Sequence, residues 1–199
     1  MDDKLKWNCE ILPHGGIDMP TYSVINELQS IEFHDSSLNN AYIDAGDLHL
    51  VFSSAIIIGH SLLDINGRIP CSVNDGEDRY ACPELKVIVH NFILHSVLRG
   101  GCWTKDAEGN TIEKYPPRNL LPEEYAEFLQ MVFAEKNNHV YGITFDAETQ
   151  RYTLGFFMNT DANYYEIEFT GDSIIAEFDE FGKDAWYLDS KLKNRNAEK

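Results

Sequence analysis

Alternating apolar and polar positions run through much of the chain. Residues 38–44 and 48–52 alternate on either side of Ala45-Gly46, which predicts two half-buried strands joined by a turn. Residues 85–98 form the longest strand-like stretch and have apolar residues at both odd and even positions. This pattern predicts a central strand covered on both faces. Four further strands are predicted near the C-terminus, at residues 140–145, 151–158, 164–170 and 173–178.

Two segments have helical spacing instead. Tyr22, Ile25 and Leu28 recur at intervals of three within residues 22–31, which predicts a short amphipathic helix. Pro122-Glu123-Glu124 predicts the start of a second helix, because proline suits the first turn and carboxylates complement the positive N-terminus. The apolar stripe of this helix comprises Tyr125, Phe128, Leu129, Val132 and Phe133.

These elements predict an α+β fold. Its main part is a mostly antiparallel β-sheet, a meander in one or two layers, with the two main helices packed on it. Turn residues predict a hairpin at 62–69 around Asn66-Gly67, an exposed loop at 72–83 and a hairpin tip at 106–110. We expect residues 1–189 to form a single domain and the lysine-rich residues 190–199 to form a flexible tail.

The composition narrows the possible partners. The 199 residues include 16 Lys and Arg against 33 Asp and Glu, for a formal net charge of -17. Such a charge disfavours direct binding to nucleic acid, which needs cations to displace counterions, and disfavours docking on an anionic membrane. Apolar runs such as 55–58 are too short to span a bilayer, and the N-terminus shows no secretory signal. We therefore expect a cytoplasmic protein.

Motifs for catalysis or metal binding are missing from the sequence. It contains no Cys-x-x-Cys pair, no His-x-x-x-His spacing, no Gly-x-Ser-x-Gly elbow and no phosphate-binding glycine loop. We therefore predict no enzymatic activity, no metal and no cofactor. One alternative is a small-molecule or metal-assisted hydrolase that uses His34 and Asp35 with a distant histidine such as His90. Another is a ligand-binding or scaffold module built around residues 85–98.

Acidic residues concentrate towards the C-terminus. Between Thr144 and Asp189 there are 11 carboxylates against Arg151 and Lys183. If Gly171-Asp172 closes a two-residue hairpin, Glu166 lies opposite Glu177 on an outward, one-signed face. This face is either a solvated surface or a docking surface for a basic partner. The candidate partner-binding residues are Glu166, Glu168, Glu177, Asp179, Tyr164 and Trp186.

Three features together resemble the bacterial immunity proteins of polymorphic and contact-dependent growth-inhibition toxin systems. They are the Ile31-Glu-Phe-His-Asp-Ser-Ser37 segment ahead of a β-hairpin, the small acidic α+β domain and the acidic C-terminal strands. The resemblance implies a cytosolic, non-enzymatic inhibitor that binds one toxin domain, often a nuclease, and blocks its active site. The expected partner is therefore a basic toxin domain, bound through the acidic surface.

Overall fold

The computed structural model of the chain describes residues 22–26, 28–58, 63–64, 78–161 and 163–185. Within these residues an eleven-stranded antiparallel sheet dominates. We call its two parts the first and second half-sheets. In spatial order, the first contains β3 (Ser37–Asp44), β4 (Asp47–Ser53), β8 (Leu85–His90), β16 (Ser173–Phe178), β1 (Tyr22–Ile25) and β6 (Leu63–Asp64). The second contains β13 (Asn138–Asp146), β14 (Arg151–Phe157), β15 (Tyr164–Thr170), β9 (Ile93–Arg99) and β12 (Arg118–Asn119).

Smaller elements surround this sheet. A four-stranded sheet is made of β17 (Glu180–Asp184), β7 (Arg79–Cys82), β5 (Ile56–Ile57) and β2 (Ile31–Glu32). A separate hairpin pairs β10 (Cys102–Lys105) with β11 (Thr111–Tyr115). Among the described residues, the helical elements are 3-10 turns at Leu28–Ser30 and Pro122–Glu124 and the α-helix α1 (Tyr125–Ala134). No helix in the described part of the chain is long and apolar enough to cross a membrane.

The half-sheets join at two places. One join is a short pairing of β3 with β13, in which Leu38 lies opposite Asn138 and Ser37 opposite His139. The other join is a bent two-stranded ribbon. Along one side of the ribbon the chain continues from β8 into β9, and along the other side it continues from β15 into β16. Strand β8 pairs with β16 and β9 pairs with β15, in nearly the same register. At its bend the Asp172 N–H donates to the His90 carbonyl at 2.9 Å, and the Asn91 amide donates to the Asp172 carboxylate at 2.7 Å.

One hydrophobic core lies between the inner faces. Alternate residues of each strand point inward, and they merge into a single buried cluster that draws on both half-sheets. Phe52 and Val89 come from the first half-sheet and Phe156 and Phe169 from the second, and all four are fully buried. Helix α1 adds its apolar stripe, with the Phe128 ring 5.1 Å from that of Tyr165.

The predicted fold needs a correction in its helices. Sheet strands and the second predicted helix are confirmed, but the prediction of two main helices is wrong for the residues that the structure describes. The described residues of this stretch, 22–26 and 28–31, form β1, the turn Leu28–Ser30 and the start of β2 instead. Tertiary pairing is the reason, because β1 pairs with β16. Next to this pair Asn26 has a φ of 56°, its N–H donates to the Ile174 carbonyl, and its side-chain Oδ1 accepts from the Ile174 N–H.

The predicted hairpin at Gly171-Asp172 is also wrong. Strands β15 and β16 do not pair with each other, because the chain continues through the bend and each strand joins a different half-sheet. The outward direction of Glu166 and Glu177 was predicted correctly, since alternation determines which side chains face the core but not which strand is the neighbour. Residues 85–98 likewise divide into β8 and β9 at Asn91, whose φ is 50°.

Some predicted loops are corrected or lie outside the described residues. The exposed loop expected at 72–83 is wrong at β7 (Arg79–Cys82), which pairs with both β5 and β17. The hairpin tip at 106–110 is confirmed between β10 and β11. Of the hairpin expected at 62–69, only β6 is described, and it pairs with β1. The tail at 190–199 lies outside the described residues.

The start of helix α1 allows a prediction about acid stability. Hydrogen bonds from the Arg118 guanidinium, at 2.7 and 2.8 Å, and from the Leu121 N–H lower the pKa of Glu124 from 4.5 to about 2. Because this pKa is lower in the folded state, the ionised carboxylate contributes to the free energy of unfolding above pH 4.5. This contribution is lost as the pH falls towards 2. We therefore expect the free energy of unfolding of Glu124→Gln to fall less than that of the wild type between pH 5 and pH 2.5. Urea denaturation at several pH values measures this difference.

Glu123→Gln is the matched control, since Glu123 lies one residue earlier in the same 3-10 turn and is exposed. If the two variants change the stability difference between pH 5 and pH 2.5 equally, the ion pair does not make this contribution.

Candidate functional site

The structure separates the six predicted partner-binding residues. Tyr164, Glu166 and Glu168 lie on β15 and alternate with buried residues, so they occupy the outer face of the second half-sheet. Glu177 lies on β16 and occupies the outer face of the first half-sheet. Asp179 is exposed between β16 and β17. Trp186 lies outside the described residues. A single acidic face that unites all of these carboxylates therefore does not exist.

Each outward carboxylate on these strands has a favourable neighbour. Glu166 accepts a hydrogen bond from the Tyr164 hydroxyl at 2.8 Å. Glu168 pairs with the Arg151 guanidinium at 3.2 Å and accepts from the Ser96 hydroxyl at 2.8 Å. The residue opposite Glu177 on β8 is Lys86. The like-charge apposition expected between Glu166 and Glu177 is therefore replaced by pairings that stabilise the sheet.

An aromatic cluster forms the most distinctive part of the second half-sheet's outer face. The cross-strand register places Tyr164 opposite Phe157 and Phe157 opposite His139. A β-bulge in β13 adds Tyr141, whose ring lies 5.3 Å from Phe157 and 5.5 Å from Tyr164. We call His34, His139, Tyr141, Phe157 and Tyr164 the aromatic patch. Tyr141 is 46% exposed, so the patch presents an accessible aromatic ring at its centre.

Glycine makes the cluster possible. A Cβ atom on Gly155 would lie 2.5 Å from the hydroxyl oxygen of Tyr164, so the tyrosine ring lies across the bare backbone of β14. This position lets the phenol reach Glu166, and burial together with that hydrogen bond raises the pKa of Tyr164. The phenol therefore stays protonated and donates to Glu166 at neutral pH. The result is an aromatic surface with a fixed carboxylate beside it.

The loop before β3 brings His34 and Asp35 to the edge of this patch, next to His139 of β13. Asp35 has a φ of 65°, and its two carboxylate oxygens lie 3.0 Å from Nδ1 of His34 and 3.8 Å from Nε2 of His139. The rings of His34 and His139 lie 5.8 and 5.7 Å from the ring of Tyr141, both edge to face. The pair singled out in the sequence, His34 and Asp35, is thus joined to Tyr164 through Tyr141.

The geometry does not assemble the hydrolytic site considered as an alternative. His90 lies at the ribbon bend, where its Nδ1 is 2.7 Å from the Asp47 carboxylate, and not beside His34. His34 and Asp35 are each more than half exposed, so water has free access to them. Among the described residues, no group of three or more His, Cys, Asp or Glu side chains is arranged to hold a metal ion.

Sequence reasoning missed Tyr141 and His139 as members of the patch. His139 follows Asn137-Asn138, which are typical of a turn, although it belongs to β13 and pairs with Phe157. Tyr141 alternates with the buried Val140 and so faces outward, and the bulge between Val140 and Gly142 then turns Ile143 to the opposite face. The sequence spacing of Tyr141 and Ile143 suggests a shared face, and a bulge has no clear composition signal. Gly142 and Gly155, which lie opposite each other, were the available indication of an irregular surface.

Comparisons with known proteins complete the description of the site. No family model, no curated protein sequence and no solved structure matches the chain. The resemblance to immunity proteins therefore stays a prediction. The charge and geometry of the described surface are the remaining indications of function.

Proposed function

We propose that this protein is an immunity-type inhibitor that binds and neutralises a basic toxin domain in the bacterial cytoplasm. The contact surface is the outer face of the second half-sheet, centred on the aromatic patch. The observation that carries the proposal is the exposed Tyr141 ring, held by Phe157 and Tyr164 next to the Glu166 carboxylate. Large aromatic anchors surrounded by polar groups are typical of the energetic centre of a protein interface.

The second line of support is electrostatic. The net charge of -17 attracts a basic partner over long range and speeds its association. Around the patch, the Asp35 and Glu166 carboxylates supply short-range contacts for Lys or Arg. Guanidinium groups also stack on the faces of tyrosine and phenylalanine rings, so one basic residue can contact both features.

A surface of this kind suits inhibition better than catalysis. The rings and carboxylates lie on the outer face of a sheet, where a flat or convex surface can cover the cleft of another protein. A nuclease cleft is lined with cations that bind phosphates, and clustered carboxylates can occupy the same cations. The proposed mechanism is therefore steric and electrostatic blocking of a basic cleft.

A salt-dependent pull-down tests this function. Tagged protein is incubated with lysate of its native cells at low salt, and bound proteins are eluted with increasing salt. We expect one stoichiometric partner of high isoelectric point, released by salt, whose nuclease or other toxic activity falls when the complex reforms. An acidic or neutral partner, or a basic partner whose activity is unaffected, would contradict the proposal.

Removing a single charge should change the association kinetics. Glu166→Gln keeps an acceptor for the Tyr164 hydroxyl but removes a negative charge from the centre of the surface. We expect the association rate with the captured partner to fall on the order of two- to fivefold at low salt, with a weaker salt dependence. Stopped-flow or surface plasmon resonance kinetics measure both quantities.

Glu108→Gln is the matched control, because Glu108 is an exposed carboxylate in the turn between β10 and β11, away from the patch. The choice of surface fails if both variants slow association equally, since that would indicate a response to net charge alone.

A further inference from the structure

A second exposed feature lies on the outer face of the first half-sheet. The cross-strand register aligns five side chains in one line across five strands. We call this line the exposed row; in spatial order it contains Ile25, Ile175, Ile88, His49 and Tyr42. Outward positions on a solvated sheet are normally polar, so an apolar line at these positions is unusual.

The row is accessible to a partner. Ile25 is 57% exposed at one end and Tyr42 is 42% exposed at the other. The Tyr42 ring stacks on the His49 ring at 4.6 Å with an interplanar angle of 4°, which leaves the pair as a flat end to the row. A shallow depression of about 110 Å³ runs beside them and is also lined by Lys86 and Ile88.

The length of the row indicates the shape of its occupant. Five adjacent strands at about 4.8 Å spacing give a row roughly 19 Å long. A helix rises about 1.5 Å per residue, so about three to four helical turns would cover this distance. A row of single side chains matches the narrow apolar stripe of an amphipathic helix.

The charges beside the row indicate the chemistry of the occupant. Asp44 and Asp47 face each other beside Tyr42 and His49, and Asp172 is held at the ribbon bend. On the other side of the row Glu177 lies opposite Lys86. His90 also lies here, with its Nδ1 2.7 Å from the Asp47 carboxylate, but the four carboxylates still outnumber Lys86 and His90 together and favour an occupant whose apolar stripe is bordered by Lys or Arg. A second copy of this chain would set carboxylates against carboxylates, which the same charges disfavour.

We infer that the exposed row is a docking site for a basic amphipathic helix of a partner protein. This site is separate from the aromatic patch, since it belongs to the other half-sheet, and it does not depend on the partner being a toxin. A basic partner that engages both faces would have to reach around the molecule, and two partners could otherwise bind at once.

Methyl NMR with a defined probe tests the inference. The probe is a synthetic helical peptide of roughly 14 residues, made of leucine and lysine in amphipathic order, which spans the row. The full-length protein is labelled at isoleucine methyl groups. We expect the methyl signals of Ile25, Ile88 and Ile175 to shift on titration, while Ile93, which is 56% exposed on the second half-sheet, does not shift.

Two control peptides separate the possible causes of a shift. A peptide with the same leucines and lysines in non-amphipathic order should leave the row unshifted, and so should an amphipathic leucine–glutamate peptide. Equal shifts with the reordered peptide, or no shift with the amphipathic one at millimolar concentration, would overturn the inference. Shifts of the same signals on raising the protein concentration without peptide would show a second copy as the occupant and would also overturn it.

Lysine substitutions test the row itself. Ile25→Lys should weaken peptide binding at least about tenfold, and Ile88→Lys should weaken it further because Ile88 lies at the centre of the row. Ile25 is at the edge of the row and highly exposed, so its variant keeps the test valid if Ile88→Lys fails to fold. Ile93→Lys is the control with matched exposure, and a loss of binding equal to that of Ile25→Lys would contradict the site.

Discussion

Gly171→Ala is expected to lower the free energy of unfolding by about 1 to 3 kcal/mol. A Cβ atom at this position would lie 2.5 Å from Cγ1 of Val89 and 2.7 Å from the His90 carbonyl oxygen. The second of these contacts is with backbone, so it cannot be relieved by a side-chain rotation alone. The added methyl group would therefore push the two strands of the bent ribbon apart at the point where the half-sheets meet.

Gly142→Ala is the control for this prediction. A Cβ atom on Gly142 would have no neighbour within 4 Å. The free energy of unfolding of Gly142→Ala should therefore be unchanged or slightly raised, because alanine gives the unfolded chain less conformational freedom than glycine. Urea denaturation of the wild type and the two variants gives the comparison. Equal stability of Gly171→Ala and Gly142→Ala would contradict the close crossing of the strands at the bend.

Tyr141→Ala is expected to weaken binding of the basic partner by about 10- to 100-fold, the range of a strong aromatic anchor. The Tyr141 ring contacts four other rings of the patch, so its removal takes away both its own contact area and the support of its neighbours. Because Tyr141 is 46% exposed, the protein should remain folded. Isothermal titration calorimetry with the captured partner measures the change in Kd.

Phe145→Ala is the matched control, since Phe145 lies on the same strand and is 47% exposed, but lies opposite Tyr152 on the inner side of the sheet and not on the face of the patch. Its partner affinity should stay within about twofold of the wild type, as is usual for residues outside an energetic centre. Because Phe145 is not on the outer face, equal losses of affinity in the two variants would contradict a specific contact through Tyr141.

Local sequence pattern predicted many of the strands but not their neighbours. The alternation of Tyr165, Ile167 and Phe169 correctly placed these residues in the core, and the helix after Pro122 was correct. Gly171-Asp172 resembles a hairpin turn in composition, yet Gly171 is needed there for close contact with Val89 and His90. A short motif does not distinguish a turn from a bend in a continuous strand, because both favour glycine.

The first predicted helix failed for a related reason. Ile25 and Leu28 suit both a helix and a strand followed by a turn, and only the pairing of β1 with β16 decides between them. At the candidate site, Tyr164 and Glu166 were identified from sequence, but Tyr141 was not, because the bulge that places Tyr141 and Ile143 on opposite faces is not visible in a local pattern. The exposed row depends on register across five strands, which no local pattern encodes.

A side-by-side pull-down tests whether the outer face of the second half-sheet binds a basic protein. Wild type, Tyr141→Ala and Phe145→Ala are each used to capture partners at low salt, and the bound proteins are quantified by mass spectrometry. We expect one basic partner that is recovered with wild type and Phe145→Ala and is strongly reduced with Tyr141→Ala. Equal recovery of that partner with all three proteins would contradict it.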